Sequence, residues 1–111
     1  MQLEDLKPHE QTALGGLIRM MLRSDGEFSE AEEATVERIG VRLGGAAKLW
    51  SVISRSAQDC PNDEAIRAAA VKVERLGARA AILQVLEEVA AGDAVSDSER
   101  ALLDWLRGQW S

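Results

Sequence analysis

Tyrosine is absent from this chain, phenylalanine occurs once and proline twice. β-Strands draw on β-branched and aromatic runs that alternate with period two, and no such run of useful length is present. An all-α fold is what the composition leaves. Cysteine also occurs once, as Cys60, so no internal disulfide can form and a reducing compartment is expected. The single histidine, His9, excludes a histidine-rich metal cluster and reads as a surface residue. No apolar run approaches the ~20 residues of a membrane span. The start, Met1-Gln2-Leu3-Glu4-Asp5, lacks the basic end and apolar stretch of a signal peptide. A cytoplasmic location without membrane insertion is therefore expected.

Basic residues are in the minority, 13 against 19 acidic ones, for a net charge of −6. Nucleic-acid phosphates need a basic surface, and the only close basic pairs, Arg38 with Arg42 and Arg75 with Arg79, stand among carboxylates. Signatures of catalysis are missing too. Gly15-Gly16 and Gly44-Gly45 belong to neither a GxxxxGK[ST] nor a GxGxxG loop. Cys60 precedes Pro61 without a CxxC partner and reads as a helix-break or small buried residue. No serine, histidine and aspartate set reads as a nucleophilic triad. The expectation is a protein that is not an enzyme.

What is present is helical. The 111 residues, 46% hydrophobic and 29% charged, suit one globular domain, 1–111. Leu14, Leu17, Ile18, Met21 and Leu22 share one face of a helix predicted from about Glu10 to Ser24. Gly15 and Gly16 weaken that helix by roughly 1 kcal/mol each relative to alanine, so a close helix contact is expected there. A second helix opens at Ser29-Glu30-Ala31-Glu32, a capping box, and ends at Gly44-Gly45. Its inward stripe is Val36, Ile39 and Leu43.

A third helix is predicted over Ala46–Gln58, with Leu49, Trp50 and Ile53 inside, and a fourth over Asp63–Leu76, with Ile66, Ala69, Ala70 and Val73. Gly77 separates it from a fifth, Ala78–Ala91, holding Ile82, Val85, Leu86 and Val89. A second capping box, Ser96-Asp97-Ser98-Glu99, opens the last helix, with Leu102, Leu103, Leu106 and Trp110. The tryptophans are expected in the core, with Trp105 or Trp110 as the alternative partner-facing anchor.

The two capping boxes belong to an internal repeat. At an offset of 67 residues Phe28 matches Val95, Ser29 matches Ser96 and Glu32 matches Glu99. Ile18 and Leu22 match Val85 and Val89 before the loop; Val36, Ile39 and Leu43 match Leu103, Leu106 and Trp110 after it. Two helix-loop-helix units then share one plan and bury their apolar faces together, with Phe28 and Val95 expected to plug the core beside each loop.

Each loop is acidic. The first offers Asp25, Glu27 and Glu32; the second offers Asp93 and Glu99. Oxygen ligands clustered on a turn suit calcium, magnesium or manganese. The loop is not an EF-hand: counted from Asp25, the sixth and twelfth positions are Glu30 and Val36, not glycine and glutamate. A structural origin stands beside this reading, since Asp-Gly is a common turn and Ser-x-x-Glu a common helix start, and neither needs a ligand.

The segment Met21–Glu32, with its Asp-Gly-Glu-apolar-Ser-x-x-Glu turn between two helices, resembles the TerB-like (tellurite resistance protein B-like) domains. The second unit, through Ser96, Glu99 and Leu102-Leu103, resembles that family's repeated copy. The resemblance implies a compact bundle of about six or seven helices in a bacterial cytoplasmic protein linked to tellurite resistance or wider stress responses. It also implies a divalent cation held by Asp25, Glu27 and Glu32, with Glu99 from the second unit. The second unit departs from the pattern: Asp-Gly is reversed to Gly92-Asp93, and Ala94 stands in the third, acidic place.

Two functions follow as expectations. One is a TerB-like module that binds a divalent cation (calcium, magnesium, manganese or zinc) and docks to partner proteins. The other is a metal-free helical adaptor or oligomerisation domain.

Overall fold

The computed structural model describes residues 2–23, 30–91 and 97–110. Six α-helices account for most of them: α1 (Pro8–Arg23), α2 (Glu30–Arg42), α3 (Ala46–Asp59), α4 (Asp63–Val71), α5 (Leu76–Ala91) and α6 (Asp97–Trp110). A 3-10 turn over Leu3–Asp5 precedes them. The described residues contain no strand. The fold is an all-α bundle, as the scarcity of aromatic residues and the apolar spacing predict.

α1 is the central helix and packs on α3, α4, α5 and α6, while α2 lies on α3 and α5. Ala13, Leu14, Leu17, Ile18 and Met21 of α1 are wholly buried. Each such large side chain contributes about 1.5–3 kcal/mol relative to exposure. The expected close contact at the glycine pair is present. A Cβ on Gly15 would lie 2.7 Å from the Val52 carbonyl oxygen of α3, and one on Gly16 would lie 2.9 Å from Ile66 of α4. These glycines let the backbone of α3 and the Ile66 side chain of α4 come close to the backbone of α1.

The turn between α2 and α3 is made by Gly44 and Gly45, with φ of 120° and 141°. Side chains rarely adopt that region, so the predicted stop at this pair has a conformational cause. The N-terminal segment lies against the same turn. The Leu3 N–H donates to the Leu43 carbonyl at 2.9 Å, and Leu3 and Leu6 are buried. The Gln11 side-chain amide donates to the Leu3 and Leu6 carbonyls. α4 starts as expected at Asn62, whose Oδ1 accepts from the Ala65 N–H at 2.8 Å.

Three predicted boundaries are wrong. α1 begins at Pro8, not Glu10. Proline suits the first helical position because its missing N–H is not needed there, and Glu10 accepts from the Lys7 N–H at 2.7 Å, half of a capping box. α4 ends at Val71, not Leu76, and α5 already includes Gly77, so residues 72–75 rather than Gly77 separate the two helices. Val73 is still buried, but from this connection and not from a helical stripe. The Arg79 guanidinium fixes the connection by donating to the Val73 carbonyl at 2.7 Å.

The six matched pairs of the repeat that fall on described residues are buried in both copies: Ile18/Val85, Leu22/Val89, Glu32/Glu99, Val36/Leu103, Ile39/Leu106 and Leu43/Trp110. Phe28 and Val95 lie outside the described residues. Trp110 is a core residue whose indole N–H donates to the Ala70 carbonyl at 3.1 Å, so it is not an exposed partner anchor. Trp50 and Trp105 are half-buried against the core, and the Arg67 guanidinium sits 4.6 Å over the Trp105 ring.

Candidate functional site

Of the five carboxylates expected at the acidic loops, Asp25, Glu27 and Asp93 lie outside the described residues. Glu32 and Glu99 are described. Each sits in the first turn of its helix, α2 or α6, and they are only 4% and 5% exposed. A carboxylate that far from water needs hydrogen-bond donors or a positive charge close by, and a helix N-terminus supplies part of that field. Both glutamates take part in interactions within the fold. Their serine partners in the predicted capping boxes, Ser29 and Ser96, lie outside the described residues. Among the described residues no group of three or more His, Cys, Asp or Glu side chains is arranged to hold a metal ion. The described carboxylates nearest in sequence to the two loops are Glu30, Glu32, Asp97 and Glu99. Glu32 and Glu99 are the two inward members of that set; Glu30 and Asp97 are exposed.

The start of α1 holds a third buried carboxylate. Glu10 is wholly buried and accepts from the Arg75 Nε–H at 2.9 Å. The Arg75 Nη2 group donates to the other Glu10 oxygen and, at 2.9 Å, to the Asp5 carbonyl. The two-pronged Arg75 contact holds the Glu10 carboxyl down at about 2, against the opposing pull of burial; the Lys7 N–H and the charges of Arg75 and His9 add to the lowering. The same bonds raise Arg75, whose side chain is half exposed. This pair ties the segment before α1, the first turn of α1 and the connection before α5 into one unit. Arg75 reads in the sequence as half of a surface basic pair, and nothing local points from it to a partner 65 residues away. Glu10 did leave a signal: Pro8 followed two residues later by glutamate is a helix start with a carboxylate turned back on its own N-terminus.

Beside this pair an open cleft of about 400 Å³ runs between the start of α1, the end of α3 and one face of α4. Thr12, Asp59, Cys60 and Lys72 line it, with alanines of α4 as its apolar wall. A smaller cleft of about 320 Å³ adjoins it, sharing His9 and Lys72 and adding Lys7, Glu10, Glu74 and Arg75. Cys60 closes α3: its N–H donates to the Ser56 carbonyl at 2.7 Å, and its carbonyl accepts from Arg19 at 3.0 Å. The thiol is buried, as expected of a small helix-break residue. Burial pushes its pKa up and Asp59 pushes it further, whereas Arg19 and Lys72 pull it down. Burial thus disfavours the thiolate, the form that acts as a nucleophile or metal ligand. His9 is exposed.

None of the described helices is long and apolar enough to cross a membrane. Compared with protein-family models, curated proteins and solved structures, the chain matches none of them.

Proposed function

We propose that the chain is a TerB-like stress-response module of the bacterial cytoplasm, not an enzyme, which binds a divalent cation at the acidic loop after α1 and docks to protein partners. The observation that supports this is the matched burial of Glu32 and Glu99, equivalent positions of the repeat, at the inner ends of the two acidic loops. A buried first-turn carboxylate following Asp25 and Glu27 provides a fixed oxygen ligand to which a loop can add others. Glu99 supplies the same from the second unit, with fewer acidic neighbours in its loop.

The test is the thermal midpoint with chelator and then with calcium, magnesium, manganese or zinc, for the wild type, Asp25→Asn and Glu27→Gln. An ion that binds only the folded chain stabilises it by about 2.7 kcal/mol at a hundredfold excess over its dissociation constant. The expected result is a rise in the wild type that both variants lose. No rise with any of the four ions removes the cation from the proposal.

The second reading, a metal-free adaptor, draws on Val71 and Leu76. These large apolar side chains are 50% and 75% exposed on the two sides of the α4–α5 connection. Val71→Ser with Leu76→Ser then weakens self-association or partner binding while leaving any ion response intact. An unchanged association state in that double variant counts against it.

A further inference from the structure

The cleft at the start of α1 has walls of three different chemistries. One is apolar: Ala65, Ala68 and Ala69 of α4 together with Cys60. The second is cationic, from Lys72 just beyond α4, and the third is anionic, from Asp59 at the last position of α3. The charges are not spent on each other in a close ion pair: among the described residues Asp59 and Lys72 take part in no salt bridge, and neither is among the residues with further interactions. Both are exposed at the rim. The Cys60 thiol, which lines the same cleft, feels both: beside burial, Asp59 raises its pKa, and Lys72 lowers it together with Arg19. Of the other charges nearby, Glu10 is neutralised by Arg75, Lys7 and Glu74 both line the adjoining cleft, and Arg19 donates to the Cys60 carbonyl. His9 is shared by both clefts.

We propose that this cleft binds a small zwitterion, an α-amino acid with an apolar side chain, its carboxylate on Lys72, its ammonium on Asp59 and its side chain on the alanine wall of α4. The cleft volume, about 400 Å³, lies within the ~300–1,000 Å³ of small-molecule sites. A simple carboxylate would leave Asp59 facing its body, and a simple amine would leave Lys72 doing so. A ligand with both charges pairs with both rims at once. No bulky side chain closes the cleft from α4, which presents alanine there at 65, 68 and 69.

The experiment is an amide-resonance titration of the full chain with three probes of one carbon skeleton: L-leucine, 4-methylpentanoate without the ammonium, and 3-methylbutylamine without the carboxylate. The expected result is saturable shifts at Thr12, Cys60 and residues 65–72 with leucine alone. Lys72→Met and Asp59→Asn, both exposed and remote from the core, are expected to weaken leucine binding by at least about tenfold. Ala68→Leu, also exposed, is expected to abolish it by filling the wall, with circular dichroism showing all three variants folded. The proposal is overturned if leucine gives no saturable shift up to its solubility. It is equally overturned if either singly charged probe binds as tightly as leucine, or if binding survives Ala68→Leu. Because the acidic loops lie apart from this cleft in the chain, a cation response there leaves this result unaffected.

Discussion

The two units of the repeat use the same apolar positions to different ends. α1 and α5 each carry a buried stripe into an acidic loop, and α2 and α6 each leave it with a buried glutamate. Yet α1 is surrounded and α5 is not. Gly15 and Gly16 of α1 fall opposite Ile82 and Leu83 of α5 in the repeat. Where α1 must admit the backbone of α3 and the Ile66 side chain of α4, glycine leaves room; where α5 has no such neighbours, isoleucine and leucine fill the space themselves. Glu10 likewise falls opposite Gly77: the start of α1 is pinned by an arginine, and the matching position of α5 carries no side chain. A repeat can thus keep its inner pattern while its outer one is set by what packs against it.

Equivalence of the inner pattern is broken or upheld by the largest substitutions. Ile39→Ala in α2 and Leu106→Ala in α6 occupy matched, fully packed positions. Each is expected to cost about 2–5 kcal/mol in urea unfolding, the two values falling close together. A large difference shows that one unit carries the core and the other decorates it. The difference between the units is sharpened by Gly15→Ala. Its Cβ meets the Val52 carbonyl oxygen, a backbone atom that cannot turn aside. A loss of about 2 kcal/mol is expected despite the better helix propensity of alanine. A gain in melting temperature instead shows that α3 moves away freely.

Glu10→Gln removes the charge that distinguishes the start of α1. With its folded pKa lowered from 4.5 to about 2, Glu10 binds its proton less readily in the folded chain than in the unfolded one. The stability it adds is therefore complete above about 4.5 and is lost as pH falls through 4.5 toward 2. The variant is expected to lose roughly 1.5 kcal/mol at pH 7, a hydrogen-bonded charge pair discounted for the half-exposed arginine. It is also expected to show a flatter decline of stability across that acid window. A decline as steep as the wild type's shows that other carboxylates govern acid unfolding.

These contrasts bear on what the sequence discloses. Apolar spacing placed all six helices, because burial of a stripe every 3.6 residues leaves a periodic trace. Conformational demands placed their stops, at Gly44-Gly45 and before Asn62. The glycine pair of α1 was readable as a close approach, since its propensity cost needs a reason. The Glu10–Arg75 pair was half readable: the carboxylate through Pro8, the arginine not at all, because a side-chain bond across 65 residues imposes no local pattern. The early end of α4 was hidden for the same reason, as Val73 is apolar at a helical spacing although it is buried from a turn. The cleft was invisible because it consists of what three separated segments leave unfilled. At the acidic loops, the capping-box spacing placed Glu32 and Glu99 in the first turns of α2 and α6, but their burial left no local sign, because it depends on what packs against those turns.

The smallest expected effect separates the units most directly, because it has the opposite sign. Gly77 is the second residue of α5, a Cβ there meets nothing within 4 Å, and its φ is not in the left-handed region. Nothing in the packing requires glycine at this position. Gly77→Ala removes backbone freedom from the unfolded chain and adds no contact to the folded one, so it is expected to stabilise by about 0.5 kcal/mol. A rise of a degree or two in the thermal midpoint, beside the loss from Gly15→Ala, identifies α1 as the helix whose glycines are packing residues and α5 as the one whose glycine is not. A loss at Gly77 means that the start of α5 is held more tightly than its open surroundings imply, and the asymmetry between the two units then rests on Glu10 and Gly15 alone.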